Sequence, residues 1–309
     1  MTNKLAISLF GVDFDNPIFS ASGTFGYGRD YNDFITPKQI GAVVTKGTSL
    51  VEWVGNPGTR VFETPAGMLN SIGLQNPGID YFLKKDLPWL AEQNAKVILN
   101  VAGRTADEYL RIVEMCQAYD SIHALEINIS CPNVKHGGMA FGTNADVAHD
   151  LLKRLKSISE KPLIAKLSPN VTDVVSIAKA VESAGTDAIS MINTLTGMAI
   201  DINTKKPVLG NVFGGLSGPA IRPVAVRMVY QVSQAVNIPI IGIGGIMNSR
   251  DAIEFFLAGA SAVQVGTAMF VNPVAPLEIM DGINEYLTKN NYKSITDIIG
   301  LAWKGEHHE

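Results

Sequence analysis

The chain has 309 residues, 46% of them hydrophobic and 17% charged, which supplies a large core and excludes intrinsic disorder. Its 25 basic residues against 29 acidic ones leave a formal net charge of -4, and no run of Lys and Arg tracks a phosphate backbone, which argues against a nucleic-acid partner. With only two cysteines, Cys116 and Cys131, there is no disulfide framework or four-thiolate metal site, so an iron–sulfur cluster would have to sit on another chain.

Residues 1–10 hold one lysine and a short mixed apolar stretch. This is not a charged segment followed by a long apolar core, so no secretory signal is read and a cytoplasmic protein is expected. The segment 5–14, with Gly11 and Asp13 near its middle, reads as a β-hairpin ahead of the first main strand. Short apolar runs then recur at 18–21, 42–46, 97–101, 124–129, 163–167, 188–192, 238–243 and 262–265. Helical spacing of apolar residues fills several of the gaps, at 107–119, 173–184, 225–236 and 250–257. Strands this uniformly apolar are buried on both faces, as parallel strands are, and eight such units close into a (β/α)8 TIM barrel, expected to be one domain over 1–309. The longest apolar stretch, 238–246, is broken by Pro239 and glycines and falls short of the roughly 20 residues of a membrane span. Two connections, 47–85 and 194–219, are long and rich in Gly, Pro, Asn and Thr. Both leave the carboxyl ends of strands, where barrel active sites sit, and are expected to be functional or mobile loops over that face.

The strand ends carry polar groups that packing does not ask for: Ser22, Lys46 and Gly47, Asn100, Asn128, Lys166, and then Ile192, Asn193 and Thr194. Any one of them alone reads as a loop cap; together they converge on one pocket. The last two strands end instead in Gly244-Gly245 and Gly266-Thr267, where bare backbone N–H groups can approach an anion and barrels bind phosphate. No dinucleotide fingerprint or Gly-Lys-Ser/Thr loop is present, which favours a mononucleotide or sugar phosphate over NAD. Lys46 and Lys166 follow apolar residues and suit either a Schiff base or the stabilisation of an anion. Cys131 opens a Gly-rich segment through Gly138 that reads as mobile, and its thiol suits a nucleophile, a general base or a buried core position. The five histidines show no metal-ligand spacing, the His307-His308 pair lies in a polar tail, and no metal is expected. Cys116, beside Met115 in a helical stretch, reads as a core thiol.

Taken together, Asn16-Pro17 with Ala21-Ser22-Gly23, Thr45-Lys46-Gly47-Thr48, the run from Asn70 to Gly78, Asn128-Ile129-Ser130-Cys131-Pro132-Asn133 and Lys166-Leu167-Ser168-Pro169-Asn170 resemble the dihydroorotate dehydrogenases of pyrimidine synthesis over nearly the whole chain. The resemblance implies one FMN on Ser22, Lys46, Gly47, Asn100, Asn128, Lys166, Ile192, Gly218, Gly244, Gly245, Gly266 and Thr267. It implies dihydroorotate on Lys46, Asn70, Ser71, Ile72, Gly73, Leu74, Asn128, Asn193 and Thr194, with Cys131 as the catalytic base and Lys166 stabilising the reduced flavin. Cys rather than Ser at 131 resembles the soluble type 1 enzymes. The stretches 133–142 and 191–198 resemble the type 1B catalytic subunit, which implies a homodimer core within a heterotetramer, FAD and a 2Fe-2S cluster on a partner subunit, and NAD as acceptor. Thr24 stands where relatives often carry Cys. Three readings compete with this one: a fumarate-using type 1A homodimer, a Schiff-base lyase or isomerase acting on a sugar phosphate, and a non-catalytic phosphate-binding scaffold.

Overall fold

The computed structural model describes residues 3–130 and 141–305. The expected Gly-rich mobile segment from Cys131 to Gly138 and the His307-His308 tail lie outside them. In chain order the strands are β1 (Ile7–Leu9), β2 (Val12–Phe14), β3 (Ile18–Ser20), β4 (Val43–Val44), β5 (Val61–Thr64), β6 (Gly67–Asn70), β7 (Val97–Val101), β8 (Ile122–Asn128), β9 (Leu163–Lys166), β10 (Ala188–Met191), β11 (Leu195–Gly197), β12 (Ile200–Asp201), β13 (Lys206–Pro207), β14 (Gly214–Ser217), β15 (Ile240–Ile243) and β16 (Ala262–Val265).

Eight of these form one parallel sheet in the order β3, β16, β15, β10, β9, β8, β7, β4. The two ends meet. Phe19 bridges Ala42 in parallel, and Gly41 N donates to Ile18 O at 2.8 Å while Ser20 N donates to Ala42 O at 3.1 Å, which closes the sheet into the expected barrel. Hairpin β1–β2 precedes β3 and packs at the barrel's lower end, with the Phe14 ring 4.9 Å from that of Phe19.

Four of the outer helices begin where a short polar side chain satisfies the orphan N–H groups of their first turn: Thr105 before Ala106–Cys116, Asn144 before Ala145–Lys156, Asp173 before Val174–Ser183 and Asn248 before Ser249–Ala258. Each lays an apolar stripe on the sheet; Tyr109, Ile112, Val113 and Cys116 of the first are fully buried. Burial pushes the Cys116 thiol up to about 12, which suits the core role expected for it. Helices Ala145–Lys156 and Ala275–Lys289 add to the four foreseen from spacing.

The two long connections cover the carboxyl face as expected, but as strands rather than loops: β5 and β6 from the first, and β11 and β14 from the second, pair as one antiparallel sheet in the order β11, β14, β6, β5. Gly215 pairs with Asn70 across it. That register is set by residues far apart in sequence, and the glycines at 214 and 215 break the alternation that marks a strand locally.

Helix and sheet interlock at Gly242, where a Cβ would collide with Cδ1 of Phe255, itself fully buried. Phe255→Ala is expected to cost about 3–5 kcal/mol by chemical denaturation and Gly242→Ala about 1–3 kcal/mol. In the double variant the second cost should largely vanish, because the added methyl fills the space the ring leaves; strict additivity would show that the two residues do not share that space.

Candidate active site

Residues paired across a parallel ladder point to the same face, so register alone assembles the site. Asn100 on β7 lies beside Glu126 on β8, and Lys166 on β9 lies beside both Asn128 and Ser190. These side chains enter the top of the barrel interior. Above them opens a cavity of about 910 Å³, roofed by the antiparallel sheet. All the residues expected to bind cofactor or substrate, from Ser22 through Asn70–Leu74 to Thr267, line this one cavity. Cys131 lies outside the described residues.

Two lysines face the cavity in different states. Lys166, 5% exposed at its side chain, donates to Ser22 Oγ at 2.6 Å and sits 3.4 Å from Glu126 Oε1. Lys46 Nζ has no hydrogen-bond acceptor among the described residues, and burial holds its pKa below the ordinary 10.5. A desolvated, unpaired ammonium at a cavity wall is a receptor for an anion.

The amides divide by polarity. Asn128 Oδ1 accepts from Ser130 N at 3.2 Å and Asn193 Oδ1 accepts from Thr194 N at 2.8 Å, so each keeps its NH2 group for the cavity. Asn70 instead spends its NH2 on Gly215 O at 3.2 Å, which ties the roof sheet together. Ser71 is tied too, as its Oγ accepts from Asn56 Nδ2 at 3.1 Å.

The wall formed by Gly218, Gly244, Gly245, Gly266 and Thr267 is a backbone cradle. Gly245 has φ of 71°, and a Cβ on it would stand 2.7 Å from Gly218 O and 3.0 Å from Arg222 N, so only glycine allows the approach. The backbone N–H groups of Gly245 and Thr267 meet no acceptor among the described residues. Arg222, which follows the cradle, is committed to Asp251 and, at 3.2 Å, to Glu254. An anion seated here is thus held by backbone amides rather than by a guanidinium; the Thr267 hydroxyl donates to Ser217 Oγ at 2.9 Å.

Sequence reasoning missed Glu126 and Gln264. Both sit inside strands read as uniformly apolar, and both are fully buried. The available signal was a lone charge in the run Ala124-Leu125-Glu126-Ile127, since a carboxylate there must be paired.

The family model for dihydroorotate dehydrogenase matches residues 4–287. The chain belongs to the dihydroorotate dehydrogenase family. It is 53% identical over 297 residues to a protein of Alkaliphilus metalliredigens named dihydroorotate dehydrogenase B (NAD(+)), catalytic subunit, covering 96% of this chain and 98% of that one. Proteins of the same name from Desulforamulus reducens and Bacteroides thetaiotaomicron are 54% and 50% identical, over 98% and 96% of this chain and 99% and 98% of their own. Among solved structures, a dihydroorotate dehydrogenase of Eimeria tenella in complex with ferulenol shares the fold, with a TM-score of 0.80 at 21% identity over 98% of this chain and 89% of that one.

The Lys46 shift fixes a pH dependence. Its folded-state pKa lies below the unfolded value of 10.5, so between the two the unfolded chain holds more protons and stability rises with pH; below that window the charged lysine costs stability in full. Lys46→Met should therefore raise the melting temperature of the cofactor-free dehydrogenase at pH 7, and the gain should fade as pH climbs toward 10.5. A gain that stays constant with pH would show that the ammonium is not the cause.

Proposed function

We propose that this chain is the catalytic subunit of an NAD-linked dihydroorotate dehydrogenase, oxidising dihydroorotate to orotate in pyrimidine biosynthesis, and that the whole chain is one FMN-binding unit. The observation that carries the reading is the single cavity at the strand ends, where an unpaired cation, a paired cation, opposed amides and a glycine cradle meet in a member of this family.

The residues present suit FMN. Buried Asn100 Oδ1 and Gln264 Oε1 lack partners and line the cavity, as a polar heterocycle requires. The cradle at Gly245, which a Cβ would fill, suits a phosphate. Ser22, Lys46, Gly47, Asn100, Asn128, Lys166, Ile192, Gly218, Gly244, Gly245, Gly266 and Thr267 would hold the cofactor. Bound FMN supplies the acceptor for the hydride that leaves C6 of the substrate.

The chain's own residues do the rest. Cys131 takes the proton from C5, so that loss of a proton and a hydride leaves the C5=C6 double bond of orotate. Lys46 receives the substrate carboxylate, relieving its own desolvation, while Asn128 and Asn193 orient the planar ring through their free amide donors and Asn70, Ser71, Ile72, Gly73, Leu74 and Thr194 through the groups they leave toward the cavity. Lys166 keeps positive charge beside the place where electron density accumulates.

The relatives' shared name, catalytic subunit, supports a partner subunit; the sequence resemblance supplies the rest of the reading, FAD and a 2Fe-2S cluster on that partner and a heterotetramer around a homodimer core. Apolar side chains stand exposed on the excursions and after β16, among them Phe62, Met198, Ile200, Ile202, Phe270 and Val271, a surface suited to protein contact. No helix among the described residues is long and apolar enough to cross a membrane, and a cytoplasmic enzyme is the reading adopted.

The isolated chain should purify yellow with one FMN, reduce a dye with dihydroorotate, and reduce NAD only when an iron–sulfur flavoprotein partner is added. Efficient fumarate reduction would move it to type 1A, and a colourless chain that binds no FMN would refute the reading. Cys131→Ser should retain the flavin and slow its reduction by dihydroorotate about 10²–10⁴-fold near neutral pH, the usual worth of a general base, measured by stopped flow. Reduction at the wild-type rate would remove Cys131 as the base.

A further inference from the structure

Glu126 has no place in the mechanism above, yet it is fully buried near the barrel axis. Its Oε1 accepts from Asn100 Nδ2 at 2.5 Å and faces Lys166 Nζ at 3.4 Å; its Oε2 accepts from Gln264 Nε2 at 2.7 Å. The three donors come from β7, β9 and β16, and β16 stands diametrically opposite β8, with three strands between them either way round the closed sheet. A carboxylate only accepts hydrogen bonds. Both amides must therefore turn nitrogen toward Glu126, and their oxygens away from it. The oxygens so displaced, Asn100 Oδ1 and Gln264 Oε1, are buried and find no partner among the described residues, and both side chains line the cavity.

We propose that Glu126 is a positioning residue for the reaction: one buried carboxylate sets the polarity of the cavity floor, fixing Asn100 and Gln264 as acceptors and Lys166 as a cationic donor. An amide left free would present either end, and a floor of mixed polarity binds a ring of fixed donor and acceptor pattern less well. Glu126 acts through its neighbours and touches no substrate. The inference rests on the FMN reading, since the floor needs a ring to recognise.

The test uses Glu126→Gln, which keeps the shape and removes the charge. Its amide donates as well as accepts, so a neighbouring amide is free to turn over. FMN affinity, measured by flavin fluorescence on cofactor-depleted protein, should fall about tenfold or more, as for other lost charge-assisted contacts. The midpoint potential of the bound FMN should also fall, because Lys166 loses the partner 3.4 Å away that holds its ammonium in place. On a Lys166→Met background the same substitution should leave the potential unchanged while still weakening FMN through the amides. If Glu126→Gln raises the potential, the carboxylate merely offsets the lysine charge and the proposal fails. Unchanged affinity and potential with a lowered melting temperature would assign Glu126 to the fold and also overturn it. Failure of the wild-type chain to bind FMN is a separate outcome, and it defeats the FMN reading rather than the role of Glu126 within it.

Discussion

A carboxylate at the axis of a closed barrel has no water to fall back on. Taking it out of solvent costs several kcal/mol, which is offset only if donors arrive with good geometry. Here Lys166, Asn100 and Gln264 arrive from three strands on different sides of the interior. Each strand must therefore stop at the right height and twist for its one polar side chain to reach the centre. Sheet closure through the Phe19–Ala42 bridge supplies that height, because it fixes how far every strand is staggered against its neighbour.

The rest of the site is arranged around this knot. Below it the interior is apolar, with Phe19 and Ile98 fully buried, and packs as a barrel core does. Above it the strand ends divide into a cationic, amide-lined half and a glycine half. The division follows from strand chemistry: β15 and β16 give way to bare backbone at Gly244, Gly245 and Gly266, while Lys46 follows β4 and Lys166 ends β9.

Much of this was legible in the sequence, for identifiable reasons. Runs such as 97–101 and 262–265 coincide with β7 and β16, since parallel strands buried on both faces need no partner to declare themselves. The cavity residues at strand ends were legible because polar groups after an apolar run are few and stand at equivalent heights. The roof sheet was not, because β6 and β14 acquire their structure only from each other. Glu126 and Gln264 were hidden by the rule that found the strands: a run judged apolar on average conceals a single inward polar residue, whose meaning depends on what faces it across the barrel.

The β6–β14 pairing joins an excursion that leaves β4 to one that leaves β10, on distant parts of the sheet. Gly67 and Gly218 lie in contact where the two run together, and a Cβ on Gly218 would stand 2.7 Å from Gly67 Cα. The roof is consequently one mechanical body with two anchors. It cannot lift at one connection while staying seated at the other without breaking ladder bonds. Insertions and deletions are constrained likewise: a change of length in one excursion shifts the register of the other, so the two segments must vary as a pair, although more than a hundred residues of chain separate Asn70 from its partner Gly215.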